Sequence, residues 1–251
     1  MEVHHHAHTA DPDSHRGRKK WTHYFWEFLM LFLAVFCGFL AEYQLEHKIE
    51  KDREKQFVQS LVEDLQQDTS NLLVSMKSFK YQDNYFDTIL KLFPKLAQGY
   101  NHSLHNSMMG VMGWKDFIAT DKTMEQLKYA GGMRLIRKRK VADAIAGYDA
   151  LLRKYQTDLQ ELNLAFSKVD DKLGQIINFQ GLDSTLRSMT VEELEKRKEN
   201  YLLRKDPATL GEYYNRIWVY RYLRSLAVDN LKSLHTAASE LISLLNTAYH
   251  L

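Results

Sequence analysis

Apolar residues follow two patterns along this chain: one continuous block near the N-terminus, then a series of stripes at helical spacing. The block is FLMLFLAVFCGFLA, Phe28 to Ala41, fourteen residues without a charge. Fourteen residues suit a core helix or the centre of a signal peptide. Carried back to Trp21, the stretch becomes 21 residues interrupted only by Glu27, about 31 Å of helix, enough for a hydrocarbon layer of ~30 Å. Its nine Leu, Phe and Val residues favour insertion by roughly 3 to 5 kcal/mol. Glu27 lies within two turns of the basic end, where its carboxyl can reach the headgroups or take up a proton. Trp21, Tyr24 and Trp26 at one end and Tyr43 at the other suit an aromatic belt. A cleaved leader needs small residues two apart, and Val35 with Cys37, the one tolerable pair, lies inside the apolar run. An uncleaved anchor over residues 21–43 is therefore expected. Arg16, Arg18, Lys19 and Lys20 precede it, whereas Lys48, the first base after it, is interleaved with acids. The positive-inside rule then puts the N-terminus in the cytoplasm and residues 44–251 outside it. No second long apolar run follows, so a single crossing is expected.

Beyond the anchor the period changes to that of amphipathic helices. Leu45, Ile49, Phe57, Leu61, Leu65, Leu72, Met76 and Phe79 form a first stripe. No Gly or Pro falls between Phe39 and Pro94, so anchor and stalk are expected to be one helix, with a shorter stretch over 83–97. The glycine-bearing segment near 99–113 has no period and predicts a loop. Asp121 offers a cap for a short helix stopped at Gly131–Gly132. From Val141 to Ile176 eleven apolar positions alternate four and three apart, a strong bundle or coiled-coil signal. Residues 178–189 read as a connection, and Thr190 with Glu193 as a capping box for a helix to about Leu203. Asp206–Pro207 restarts the chain, and a last stripe runs from Leu210 to Ala248 with Arg224 alone breaking it.

These elements predict an all-α protein: an N-terminal transmembrane helix continuing into an elongated antiparallel helical bundle. The organisation expected is a His-rich basic tail (1–20), an anchor (21–43) and an extracytoplasmic bundle (44–251). Composition agrees. Three prolines and eleven glycines in 251 residues are about half of average usage, too few for the turns of an all-β chain. Thirty-four bases against 32 acids leave +2, which gives no reason to expect nucleic acid. A single cysteine excludes an intramolecular disulfide framework. The mean hydropathy of −0.45 averages striped helices with one apolar block.

The stretch Glu27–Phe57 (EFLMLFLAVFCGFLAEYQLEHKIEKDREKQF) and Thr123–Lys140 (TMEQLKYAGGMRLIRKRK), followed by Ile145 and Tyr148, resemble a set of bacteroidete single-pass membrane proteins of unknown function. The shared features are an apolar segment, a charged stalk and a T-x-x-x-L-x-x-x-G-G-x-x-L-I segment, covering about 100 of 251 residues. The resemblance implies topology and a cell-envelope setting and assigns no activity; with the orientation read from the flanking bases, the location expected is a bacterial inner membrane. The histidines near the N-terminus and the run Arg137–Lys140 depart from the pattern.

Several residues invite chemistry, and each has a plainer reading. His4 to His8, with His15, carry imidazoles suited to Ni²⁺, Zn²⁺ or Cu²⁺, but a flexible tail loses entropy with every ligand it orders, and a solvated tail is the simpler expectation. His102, His105, Met108, Met109 and Met112 mix imidazole with thioether, a soft set for Cu(I), or the methionines fill gaps under the loop. Glu27 is a candidate for a proton relay or a partner-helix contact, or it snorkels. Ala34-x-x-x-Gly38 is a weak association motif. Arg134 and Arg137 to Lys140 suit anionic headgroups or a solvated helix face. Arg224 is expected to snorkel or to pair with an acid of a neighbouring helix, setting register. The chain lacks G-x-S-x-G, H-E-x-x-H, a Walker loop and G-x-G-x-x-G, and Cys37 lies in the anchor. The expectation is therefore no enzyme, no metal and no cofactor. It is a membrane-anchored interaction or structural module that meets lipid and a protein partner or its own copies. The alternative is a ligand- or metal-sensing bundle acting through another protein.

Overall fold

The computed structural model describes residues 16–129, 131–197 and 199–251. It is built from helices: α1 (Arg16–Leu92), α2 (His102–Gly110), α3 (Lys122–Tyr129), α4 (Arg139–Ile176), α5 (Phe179–Leu186), α6 (Val191–Arg197) and α7 (Pro207–Tyr249). Single 3₁₀ turns cover Phe93–Gln98 and Gly132–Leu135. No strand forms among the described residues, and the one β-type contact is an isolated bridge between Ile177 and Leu202. The all-helical expectation holds. The chain divides into two compact units, residues 1–53 and 54–251.

In the first unit, the described residues belong to α1. From Trp21 to Arg53 every side chain is exposed except Leu29, which is half-buried. Phe28, Phe32 and Phe36 stack one turn apart along one side, with ring centroids 6.2 and 5.9 Å apart. Among the described residues this is the one helix long and apolar enough to cross a membrane. As the absence of breakers predicts, α1 continues without interruption to Leu92, where Pro94 ends it by opening the first 3₁₀ turn.

The second unit is a bundle of the C-terminal part of α1 with α4, α7 and the crossover joining α1 to α4. Buried positions on α1 are 54, 58, 61, 65, 68, 72, 75, 79, 82, 86 and 89, with Val62 beside them. They alternate four and three apart, a heptad seam. Four of them are polar: Glu54, Asp68, Ser75 and Gln82.

The reason lies in the crossover. Residues 111–121 are mostly without helix, so their backbone groups need partners from elsewhere. Side chains on and beside the α1 seam supply them. Gln82 Nε2 donates to the carbonyls of Gly110 (3.1 Å) and Gly113. Ser78 Oγ accepts from Lys115 N (3.0 Å), Asp68 Oδ1 from Thr120 N (2.7 Å), Asp64 Oδ2 from Thr123 N (3.2 Å) and Glu54 Oε1 from Arg137 N (2.9 Å). As the α1 number falls the crossover number rises, so the crossover runs antiparallel along α1. Its rings plug the core: Trp114 meets Phe166 edge-on at 4.7 Å, and Phe117 lies 6.0 Å from Tyr155.

Helices α4 and α7 are the most closely packed pair. Lys172 reaches Glu212 (2.6 Å), Arg216 donates to the Lys168 carbonyl (2.6 Å) and Lys154 to Asn230 (2.8 Å), a rising number against a falling one and hence antiparallel. The predicted stripes face inward: Val141, Ile145, Tyr148, Leu152, Tyr155, Leu162, Val169, Leu173 and Ile176 on α4, and the whole α7 stripe from Leu210 to Leu245. Asp206 accepts from Thr209 N (2.8 Å) and Pro207 takes the first turn of α7, the start expected from the sequence. α7 meets α1 through long side chains, among them Tyr220 with Phe86 (5.6 Å) and Tyr249 donating to Glu54 (2.5 Å).

Three expectations are corrected. Residues 99–113 are not a loop, because they contain α2. Asn101 caps it by accepting from Leu104 N (2.9 Å), and Gly110 is small because a Cβ there would sit 2.5 Å from the Tyr85 ring. Residues 178–189 contain α5, capped by Asn178 accepting from Gly181 N (3.0 Å). The Thr190–Glu193 box forms, with Glu193 N donating to Thr190 Oγ1 (3.3 Å) and Thr190 N to Glu193 Oε2 (2.8 Å), but α6 ends at Arg197 rather than near Leu203. Residues 199–203 leave the helix to close the bundle end: Asn178 N donates to Tyr201 O and Leu203 N to Ile176 O, each at 2.7 Å.

Removing a clip tests this account. Asp68 also accepts from Tyr148 Oη (2.9 Å), so Asp68→Ala strands two buried donors and lowers unfolding free energy by about 2 to 4 kcal/mol. Glu63→Ala, on the exposed side of the same helix, changes it by under about 0.5 kcal/mol. Denaturant titration of the full chain in detergent, followed by circular dichroism, checks both.

Candidate functional site

The residues singled out by the sequence disperse over the fold. His4 to His8 and His15 lie outside the described residues. Glu27 sits on the exposed apolar stretch of α1, 3.7 Å from His23 one turn earlier. Cys37 is exposed on the same stretch. The basic run Arg137–Lys140 opens α4. Lys138 Nζ donates to the Ala248 carbonyl and lies 4.5 Å above the Tyr249 ring, so this lysine satisfies the C-terminal end of α7.

His102, His105, Met108 and Met109 lie on α2, with half-buried Met112 just past its end, and they share no site. Met108 is buried in the core while Met109 is exposed. His102 Nδ1 is held by Tyr100 Oη (3.1 Å). His105 is buried, lies tilted against Tyr100 with ring centroids 4.8 Å apart, and its Nδ1 bonds the Asn101 carbonyl (2.9 Å). With Nδ1 donating, Nε2 is the bare nitrogen and has no partner. Burial outweighs the Asn101 bond and, with a smaller contribution from neighbouring His102, holds His105 below the ordinary histidine range. Among the described residues no three or more His, Cys, Asp or Glu come together in a way that holds a metal ion. Nearby, Lys95, Gln98, Gly99, Tyr100, Asn101 and Glu195 line a shallow cleft of about 260 Å³. Gly99 makes its floor possible, with φ 139° that a side chain rarely adopts.

Arg224 is fully inside, and its partners differ from those expected. Nη1 donates to Gln82 Oε1 (2.6 Å) and Nη2 to the Phe79 carbonyl (2.9 Å). The guanidinium lies 4.5 Å over Phe79, 5.0 Å over Phe86 and 5.8 Å over Tyr220. Neutral oxygens and aromatic faces hold the charge where a carboxylate was anticipated, and they tie α7 to α1. Gln82 thus bridges Arg224 to the crossover. Burial raises the neighbouring Asp116 carboxyl above its usual range, against the Trp114 hydrogen bond and the attraction of Arg224.

A second stripe on α7 went unread in the sequence. Trp218, Val219, Tyr222 and Leu226 follow helical spacing on the side away from the core, where a bundle helix ordinarily shows polar residues. Trp218 is 55% and Tyr222 52% exposed, and their rings stack 6.1 Å apart at 8°. Beside them a groove of about 510 Å³ runs between α4 and α7, floored by Leu164, Ala165, Val219 and Leu223 and edged by Glu161, Lys168, Glu212 and Arg216. Aromatic rings flanked by arginine have the composition of protein-binding hot spots. The signal was present in the sequence as a second period of three and four on α7, in phase with the outer face. No family model, no curated protein and no solved structure matches the chain.

The His105 geometry fixes a pH dependence. Its folded pKa lies below the unfolded value of about 6.5, so its contribution to stability is whole above that value and is lost as pH falls through the folded one. Unfolding midpoints therefore drop as pH falls below about 6.5, and His105→Phe, which keeps the ring on Tyr100 but takes no proton, flattens that part of the profile. Denaturant titrations of both proteins across this range give the comparison.

Proposed function

We propose that this chain is a single-pass membrane-anchored envelope protein whose helical bundle is an interaction module and carries no catalytic role. The observation that carries the reading is the uncovered stripe Trp218–Val219–Tyr222–Leu226 with the groove beside it. Solvated bundle helices bury one stripe and present polar residues elsewhere, so a second apolar stripe implies a second packing partner. The anchor is supported by an apolar stretch of α1 with its side chains outward. The bases at 16, 18, 19 and 20 favour an N-terminus in the cytoplasm of a bacterium and a bundle in the periplasm. The resemblance to bacteroidete single-pass proteins points to the same setting. The missing catalytic motifs support a role in binding.

Two measurements test the proposal. A photoreactive residue replacing Val219 captures a polypeptide in intact cells, while the same group at Thr157, on the polar exposed face of α4, captures none; equal labelling at both positions, or none at 219, defeats the interaction reading. For topology, in a Cys37→Ser chain, a membrane-impermeant thiol reagent applied to spheroplasts labels Ser239→Cys and spares Ala10→Cys. The reverse pattern defeats the orientation.

A further inference from the structure

We infer that the occupant of the α4–α7 groove is a second copy of this chain, related by a two-fold axis parallel to the bundle helices. The inference deepens the interaction reading above and rests on it, and three observations favour this occupant.

The first is knob and hole on one surface at one level. The groove is floored by Leu164, Ala165, Val219 and Leu223, whereas Trp218 and Tyr222 stand beside it as a stacked pair outside its lining. Contacts between Lys168 and Arg216 and between Lys172 and Glu212 set the antiparallel register, which places Ala165 level with Val219. Trp218 therefore projects at the height of the groove floor. A two-fold axis along the helices preserves heights, so each copy's Trp218–Tyr222 pair meets the other's groove, and the contact is self-complementary. The same axis puts the Glu54 end of the bundle part of α1 at the same end of both copies.

The second is charge. The groove edges carry two acids, Glu161 and Glu212, and two bases, Lys168 and Arg216. A strongly acidic or basic partner, or an anionic lipid surface, gains nothing from this balance. Arg216, level with Lys168, is already paired with Glu212 in its own chain, so an identical surface at the same height meets little uncompensated charge.

The third is area. Trp218, Val219, Tyr222, Leu226 and Leu164 are between 43% and 59% exposed, on the order of 100 Å² each. That is about 500 Å² per copy and about 1,000 Å² per pair, close to the apolar share of a standard interface of about 1,600 Å².

The test uses the full chain in lipid nanodiscs or detergent, with mass measured by light scattering and sedimentation. The expected result is a dimer in the micromolar range. Replacing both rings, Trp218→Ser with Tyr222→Ser, raises its dissociation constant by about 30-fold or more without loss of helix. Leu73→Ser with Val74→Ser, exposed on α1, leaves it unchanged. Association undiminished in the ring variant overturns the inference by placing the contact elsewhere. A monomeric wild-type chain also overturns it, and the crosslinker at 219 then separates two failures: capture of a different polypeptide leaves the interaction reading standing without the second copy, and no capture removes both.

Discussion

A stretch of backbone without helix, laid along a helix inside a bundle, is the constraint on which the second unit depends. Every buried N–H and C=O of such a stretch needs a partner, and a regular helix offers none from its own backbone. The chain meets the need with side chains on α1: Glu54, Asp64, Asp68, Ser78 and Gln82 address the crossover at Arg137, Thr123, Thr120, Lys115 and Gly113 in turn. Three of these, Glu54, Asp68 and Gln82, occupy seam positions that an ordinary coiled coil fills with leucine. The exchange is favourable because Glu54, Asp68 and Gln82 each find partners on the crossover, whereas unmatched seam groups would cost more than an apolar seam. It also fixes register, since sliding the crossover by one residue would unpair several groups at once.

The clips explain why so polar a seam coexists with a full core. The crossover brings Trp114 and Phe117 into the space between the helices, against Phe166, Tyr220 and Tyr155, so lost leucines are replaced by rings from another part of the chain. Arg224 belongs to the same arrangement. Its guanidinium rests on Phe79, Phe86 and Tyr220 and reaches Gln82, the residue that also holds the start of the crossover. Helix α7, helix α1 and the crossover therefore meet at one glutamine. A buried cation without a carboxylate partner is tolerable because quadrupolar ring faces and two oxygens replace part of its hydration.

How much of this was legible in the sequence depends on where each residue's partners lie. The stripes of α4 and α7 stood out because their seam positions are almost all apolar, and the inward-facing residues are those predicted. On α1 the stripe could be traced through Leu61, Leu65, Leu72 and Phe79, but Asp68, Ser75 and Gln82 read as surface residues; the groups that Asp68 and Gln82 satisfy lie 28 to 142 positions away in the chain. Helix α2 was hidden by Gly110, which sequence logic treats as a breaker and which is there to admit the Tyr85 ring. The Arg224 partner is hidden for a related reason: charge alone suggests an acid, and aromatic faces have no charge to count.

The outer stripe of α7 differs in kind from the seam. Seam residues are constrained by the fold, so their apolarity says nothing about activity. Trp218 and Tyr222 are under no such constraint: with about half of each ring in solvent, polar residues would serve the bundle as well and guard better against aggregation. Single exposed hydrophobes need no explanation; a stacked pair continued by Val219 and Leu226 at helical spacing and bordered by a groove is another matter. What distinguishes it from a general adhesive surface is its balance of charges. Acids and bases alternate at the groove edges, and Glu212 is committed to Lys172 and Arg216 within the chain, leaving little net charge to steer a partner of either sign. Recognition at such a face must come from shape and register, which is how α4 and α7 already recognise each other.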